Sequence, residues 1–598
     1  MLTRRRFAQA SALIAAAGPG LAFSRLPLRF PQGVASGDPQ ADRVVLWSRV
    51  GGYDSAVEAT YEVSTTPDFS RSVSRGSIPT GPERDHTLKV DATGLSPGTV
   101  YFYRFGIDGG FSTTGRTKTL PGKDATATRF AVVSCSNFPA GFFNVYREIG
   151  HHNDLDAVIH LGDYIYEYPA DGYASERAAE FDRLSDPAGE LLTLSDYRRR
   201  YAQYRSDPDL QYAHARVPFI VIWDDHELAN DAWMDGAENH GPDEGSWRER
   251  RARALQAFYE WMPIREAPDR PLEAAYRSFE FGKLATLAMI ETRLSARARP
   301  LSYSADLPVE RAWFDMSDSR RRPRRIGRDE AARSADALSV RLAYELDSDP
   351  GHPVDDYRRL KRWEDENTLP DGYGYLPDTE LFEREILTQP GRDLLGSRQF
   401  DWLERTFAQS QADGVAWRVL GNQTLVSAVR APDLDEELSH EEKSALPEFI
   451  RALVPLSRYH LPLNLDAWDG YPNDRERLLS LTAGTGNAIV LAGDTHNAWA
   501  APLGPEGRMA AGFELATPSI TSPGIAETLK ISGERLARLF RECNPQFEYI
   551  EMSNRGYVLL RLTAEAARAE FRFVNRIDDR RFFVRTGHEV RLPRRKGR

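Results

Sequence analysis

Cysteine is scarce in this chain. Its 598 residues include two, Cys135 and Cys543, which allows a single internal disulfide at most. Long apolar runs are missing beyond the N-terminus: no segment approaches the roughly 20 residues that cross a bilayer, so no transmembrane segment is expected. Positive charge is in deficit. Lys and Arg number 77 against 88 Asp and Glu, a net charge of −11, which argues against nucleic-acid binding as a main role. The basic end (Arg594, Arg595, Lys596, Arg598) is too short to reverse that balance and reads as a solvated tail. No internal repeat stands out, and no motif for a covalent serine nucleophile. The rest, 41% hydrophobic and 28% charged, is ordinary for a folded chain long enough for two or more domains.

The N-terminus is more specific. Thr3-Arg4-Arg5-Arg6-Phe7 leads into an Ala-rich apolar stretch, Ala8 to Ala17, and then Gly18-Pro19-Gly20-Leu21-Ala22. A charged start, a short apolar core and small residues near a cleavage point define a signal peptide. Paired arginines before Phe7 fit the twin-arginine type over residues 1–22. The expectation is a periplasmic or secreted protein that passes through the twin-arginine export machinery.

Residues 28–122 read as a small N-terminal β-sandwich domain of fibronectin type III or immunoglobulin character. Val44 to Trp47, Ala59 to Val63 and Thr99 to Phe105 are strand-like, and Ser96-Pro97-Gly98, Asp108-Gly109-Gly110 and Pro121-Gly122 mark turns. From about residue 128 to 598 apolar strands alternate with amphipathic helices, the pattern of a layered α/β domain. Ser246-Trp247-Arg248-Glu249 predicts a capping box at one helix start. Phe400, Leu403 and Phe407 share a face of another helix. Residues 317–349, rich in arginine and acids, read as a mobile surface insertion. Tyr557 to Leu562 and Ala569 to Val574 are strands expected to complete a second sheet.

The chemistry gathers at strand ends. Ala157 to Leu161 is a short buried-type run that stops at Gly162-Asp163, with Tyr166 three residues on. Pro218 to Ile222 runs into Trp223-Asp224-Asp225-His226-Glu227, Ala488 to Ala492 into Gly493-Asp494-Thr495-His496, and Phe130 to Ser134 into Cys135. Open α/β sheets bind ligands at the carboxyl ends of their strands. Four strands that each finish in a metal-ligand side chain point to a metal-dependent hydrolase. Thiolate, phenolate and imidazole suit a transition metal, and phenolate suits a ferric ion especially; carboxylate and amide oxygens suit calcium or magnesium. Cys135 is either such a ligand or half of a disulfide with Cys543, and spacing alone does not choose.

These segments in order resemble the alkaline phosphatase D family, within the calcineurin-like and purple-acid-phosphatase-like metallophosphoesterases. Besides those above, the likeness rests on Phe30-Pro31-Gln32-Gly33-Val34-Ala35-Ser36-Gly37-Asp38-Pro39, Glu291-Thr292-Arg293, Trp468-Asp469-Gly470-Tyr471-Pro472 and Thr517-Pro518-Ser519-Ile520-Thr521-Ser522. The resemblance implies a four-layer α/β/β/α sandwich holding Fe³⁺ and Ca²⁺. Cys135, Asp163, Tyr166 and His496 would hold iron; Asp163 would bridge to calcium, with Asp225, Asp494 and either Asn422 or Gln423 on that side. His226 would orient or protonate the leaving oxygen, and Arg293 would contact phosphate or form a structural ion pair. The implied activity is phosphate-ester hydrolysis by metal-bound hydroxide attacking phosphorus in line, with phosphodiesterase or phospholipase D-like action as the alternative; a ferric redox enzyme and a non-catalytic binding protein are the readings from other classes, and the intact ligand positions argue against both.

Overall fold

The computed structural model describes residues 29–318, 320–346, 352–505 and 512–595. The signal-like residues 1–22 lie outside them. Two large sheets dominate, one of nine strands and one of seven. At the centre of the first, Ala127–Val133, Ala157–His160 and Phe219–Val221 run parallel, with His160 level with Val133 on one side and Val221 on the other. Their carboxyl ends therefore form one edge. In the second sheet Ala285–Met289, Trp417–Gly421, Ala488–Ala492 and Gly512–Ala516 are likewise parallel.

Alternation along the strands sets the layers. Val419, Ile489 and Leu491 turn inward to pack with Phe130, Val132 and Ile159 of the first sheet. Leu420 and Val490 turn outward onto Phe400, Leu403, Phe407 and Leu478, from the helices Gly396–Ala412 and Pro472–Thr485. On the far face of the first sheet lie Asn144–His151, Leu194–Tyr204 and Pro208–Arg216, whose Ile149, Tyr201 and Leu210 are buried. The result is helix, sheet, sheet, helix.

The N-terminal region is a sandwich that shares a sheet with the rest. Five strands between Val57 and Lys118 form their own sheet and pack across Val44, Leu46, Val63, Tyr103 and Phe105. The opposing strands, Val34–Gly37, Arg43–Arg49 and Thr87–Thr93, belong to the nine-stranded sheet. Gly37 pairs in parallel with Phe219; a Cβ there would sit 2.3 Å from the Pro263 carbonyl and 2.6 Å from that of Phe219. The junction is tied by the buried Asp38 carboxylate, which accepts from Arg277 at 2.7 Å and from the Arg265 amide at 2.8 Å.

Three sequence expectations are corrected. Arg555–Thr563 and Ala566–Val574 extend the first sheet, pairing antiparallel with Ala127–Val133 through Val558 and Val132. Arg555–Thr563 is buried on both faces over most of its length, so periodicity could not assign its sheet. The stretch expected to be a mobile insertion carries strands Arg324–Ile326, Ala337–Arg341 and Ala343–Glu345. They close a small core in which Val340 and Leu342 meet Phe314, Leu360 and Trp363, partners that lie outside the arginine-rich run. Ser246 is the N-cap of Trp247–Trp261, but its hydroxyl makes no capping bond; Glu249 pairs instead with Arg253 at 2.9 Å.

Candidate metal centre

The strand ends are bent into tight turns. Cys135, Asp163, Asp494 and His496 all hold positive φ, from 56° to 61°, a conformation that costs non-glycine residues energy and concentrates at functional sites. Gly162, at φ 109°, makes the first of these turns possible: a Cβ there would lie 2.4 Å from both Cβ and the amide nitrogen of Asp224. A second support is Glu227. Its buried carboxylate accepts the amides of Asp163 (3.0 Å), Tyr164 (2.6 Å) and Asp224 (2.8 Å), clasping two strand-end loops together.

The loops bring the soft donors together. Ligand atoms of Cys135, Asp163 and His496 lie within 4.8 Å of one another. The Tyr166 hydroxyl completes the group, 3.2 Å from Asp163 Oδ2 and 3.2 Å from His496 Nε2. His496 Nδ1 donates to the Pro523 carbonyl at 2.7 Å, which leaves Nε2 as the lone-pair nitrogen turned toward Tyr166. Both cysteines are free. The disulfide alternative is thus corrected: Cys135 is buried beside Asp163, while the Cys543 thiol sits 3.4 Å from the Arg430 carbonyl.

Hard donors adjoin them. Asp163, Asp225 and His226 form a second group within 4.8 Å, and Asp224, Asp225 and Asp494 a third. Asp163 and Asp225 are each shared between two groups. Both have a buried Oδ1 with no hydrogen-bond partner, and buried carboxylate oxygens are rarely left so unless a cation is meant to meet them. Burial, helped by Asp224 and Asp225, holds the Asp494 carboxyl well above its usual range. Asp163 is pushed up the same way, by burial first and then by neighbouring carboxylates, against the pull of His226. Burial and Asp163 also push the Cys135 thiol up, and burial followed by Asp163 does so for the Tyr166 phenol. Each of these groups ionises readily only when a cation is supplied. The donor set fits a pair of metal ions.

Of the two expectations for Arg293, phosphate contact or structural ion pair, its contacts are those of an ion pair. It is fully buried, with Nη1 2.6 Å from Asp466 and Nε 2.5 Å from Asp224. The guanidinium neutralises and spaces carboxylates; it does not face solvent. Asn422 and Gln423 are buried at the end of Trp417–Gly421. Asn422 Oδ1 accepts from the Trp468 indole at 3.0 Å, and Gln423 Oε1 from Thr292 at 2.6 Å, so each amide oxygen serves one structural hydrogen bond. Sequence reasoning passed over Glu167, Glu227 and Ser522. Glu167 bonds His226, and the Ser522 hydroxyl donates to Tyr166 Oη at 2.7 Å. Glu167 directly follows Tyr166 and Glu227 directly follows His226, so an acid without an assigned role beside each motif was the available signal.

Comparison with known proteins now becomes informative. A family model described as PhoD-like phosphatase matches residues 130–571, and one for the PhoD-like phosphatase N-terminal domain matches 15–121. This chain belongs to the PhoD-like phosphatase family. It is 30% identical over 602 residues to alkaline phosphatase D of Bacillus subtilis (strain 168), spanning 95% of this chain and 84% of that protein. A solved structure of PhoD superposes with a TM-score of 0.68 at 28% identity, covering 95% of this chain and 90% of that one. The chain is accordingly a phosphatase, with an α/β fold similar to that of PhoD and an N-terminal region of strands that the family's N-terminal model matches. Among the described residues no helix is long and apolar enough to cross a membrane.

Proposed function

We propose that the chain is an exported alkaline phosphatase that hydrolyses phosphate esters at a two-cation centre. Cys135, Asp163, Tyr166 and His496 would hold Fe³⁺, and Asp163, Asp225 and Asp494 would hold Ca²⁺. The observation that carries this reading is the pair of adjoining donor sets, one with thiol and phenol and one of carboxylates, joined through Asp163. Cations held there would neutralise phosphate oxygens and acidify water, so that phosphorus is attacked without a covalent enzyme intermediate.

The chain's own groups do the positioning. Asp225 Oδ2 is fixed by the Asp231 amide at 2.7 Å, leaving Oδ1 for a cation. Arg293 is fixed beside that oxygen by Asp224 and Asp466, which accept from Nε and Nη1. His226, whose pKa is raised by Asp225, Glu167 and Asp163 against the effect of its burial, would give its proton to the departing oxygen.

The test compares a phosphate monoester and a diester at alkaline pH, with and without a calcium chelator. Monoester-dominated, chelator-sensitive turnover is expected. Diester-dominated turnover would make the enzyme a phosphodiesterase, and failure on both would overturn the reading. Export rests on the arginine-led N-terminus. Replacing Arg5 and Arg6 by lysine is expected to leave the protein in the cytoplasm; unchanged periplasmic or secreted yield would contradict the twin-arginine route.

A further inference from the structure

Glu167 is a carboxylate with no exposure to solvent, and its two oxygens have different work. Oε1 accepts the Asn230 amide at 2.8 Å and the Asn239 side chain at 3.2 Å. Oε2 is left to one partner, His226 Nδ1, at 2.8 Å. The imidazole is also gripped by aromatic rings: Tyr166 lies 4.2 Å away at an interplanar angle of 31°, and Tyr168 lies 5.3 Å away at 54°. Stacking fixes the plane of the ring but not which nitrogen points where. That choice falls to Glu167. A buried carboxylate is expensive unless paired, and one whose far oxygen is anchored to a loop amide cannot swing away from its histidine.

We propose that Glu167 is a positioning residue for the phosphatase reaction, pinning His226 through Nδ1 so that Nε2 is the nitrogen presented to the leaving oxygen of the substrate. This rests on the proposed function and extends it. Asp163, Tyr166 and Glu167 then divide one short turn between them: Asp163 and Tyr166 supply donors to the candidate metal centre, and Glu167 serves the proton donor. The proton passes from Nε2 to the ester oxygen as the P–O bond breaks, and Glu167 keeps its own charge throughout, as an orienting carboxylate does beside a catalytic histidine.

The experiment uses the full-length, metal-loaded enzyme with two monoesters, an alkyl phosphate whose alkoxide leaves poorly and p-nitrophenyl phosphate, whose phenolate leaves without help. Glu167→Gln keeps the shape and removes the charge. It is expected to lower kcat on the alkyl ester about 10- to 100-fold, the usual effect of losing such a partner, and on the nitrophenyl ester only a few-fold. KM and metal content should stay unchanged. In a His226→Ala background the same substitution should add nothing, because a residue acting through another has no independent effect. Equal losses on both esters, loss of metal, or full additivity with His226→Ala would overturn the proposal. If Glu167→Gln does not accumulate as folded protein, Glu167→Asp, which keeps the charge one methylene back, carries the same comparison. An inactive wild type would instead count against the proposed function, which separates the two failures.

Discussion

Arg293 Nη2 stands 3.3 Å from Asp225 Oδ1, close enough for an ion pair, yet neither atom has a hydrogen-bond partner. The arginine is held there by its other nitrogens, on Asp224 and Asp466. A fixed positive charge therefore stands among the carboxylates, and the site carries part of its own neutralisation.

Replacing Arg293 by methionine would strand at least two buried carboxylates. Removing one partner of a buried pair typically costs about 3–5 kcal/mol. The metal-free variant is expected to unfold at clearly lower denaturant concentration than the metal-free wild type. An unchanged midpoint would show that Arg293 does not hold the carboxylates.

Gly162→Ala tests the turn that delivers Asp163. The glycine has φ 109°, and a Cβ would meet Asp224 at 2.4 Å. Strain and collision act together, so we expect loss of both folded yield and metal binding, where a Gly-to-Ala change at a compatible position would instead stabilise by roughly 0.4–1 kcal/mol. Normal expression with full metal content would contradict the close approach of the two loops.

Acid stability should depend on His160. This buried imidazole accepts the Gly162 amide at Nδ1 and bonds Tyr146 through Nε2, and burial lowers its pKa from 6.5 to about 3. Between those values the unfolded chain binds the extra proton, so stability is whole above the unfolded pKa and is lost as pH falls below it. The loss is about 1.4 kcal/mol per pH unit. His160→Gln should flatten the fall in stability between pH 6 and about pH 4 by close to one proton. An unchanged slope would mean that other groups carry the acid sensitivity.

The site was more legible in the sequence than the frame that holds it. Short apolar runs ending in Asp163, Asp225, Asp494 and Cys135 are strand ends by pattern, and parallel pairing brings such ends to one edge. The joining of Gly37 to Phe219 left no such trace, because a backbone pair at a sheet seam has no side-chain signature. The small core around Trp363 and Phe314 draws on residues from either side of a charged stretch, so local composition hid it. Arg293 stays open between a phosphate contact and a structural ion pair in the sequence because its neighbours there do not reveal burial. Only the fold puts Asp224 and Asp466 on its two sides.

Asp163 is the one residue common to both proposed cations, and its Oδ1 is buried without a partner. The most direct measurement is therefore elemental analysis of metals in purified wild type and Asp163→Asn, with monoester turnover measured on the same samples. Two metal ions per chain in the wild type, a reduced complement in the variant and no measurable turnover are expected, because the bridge loses its charge. A variant that keeps both metals and the wild-type rate would contradict a centre built around Asp163.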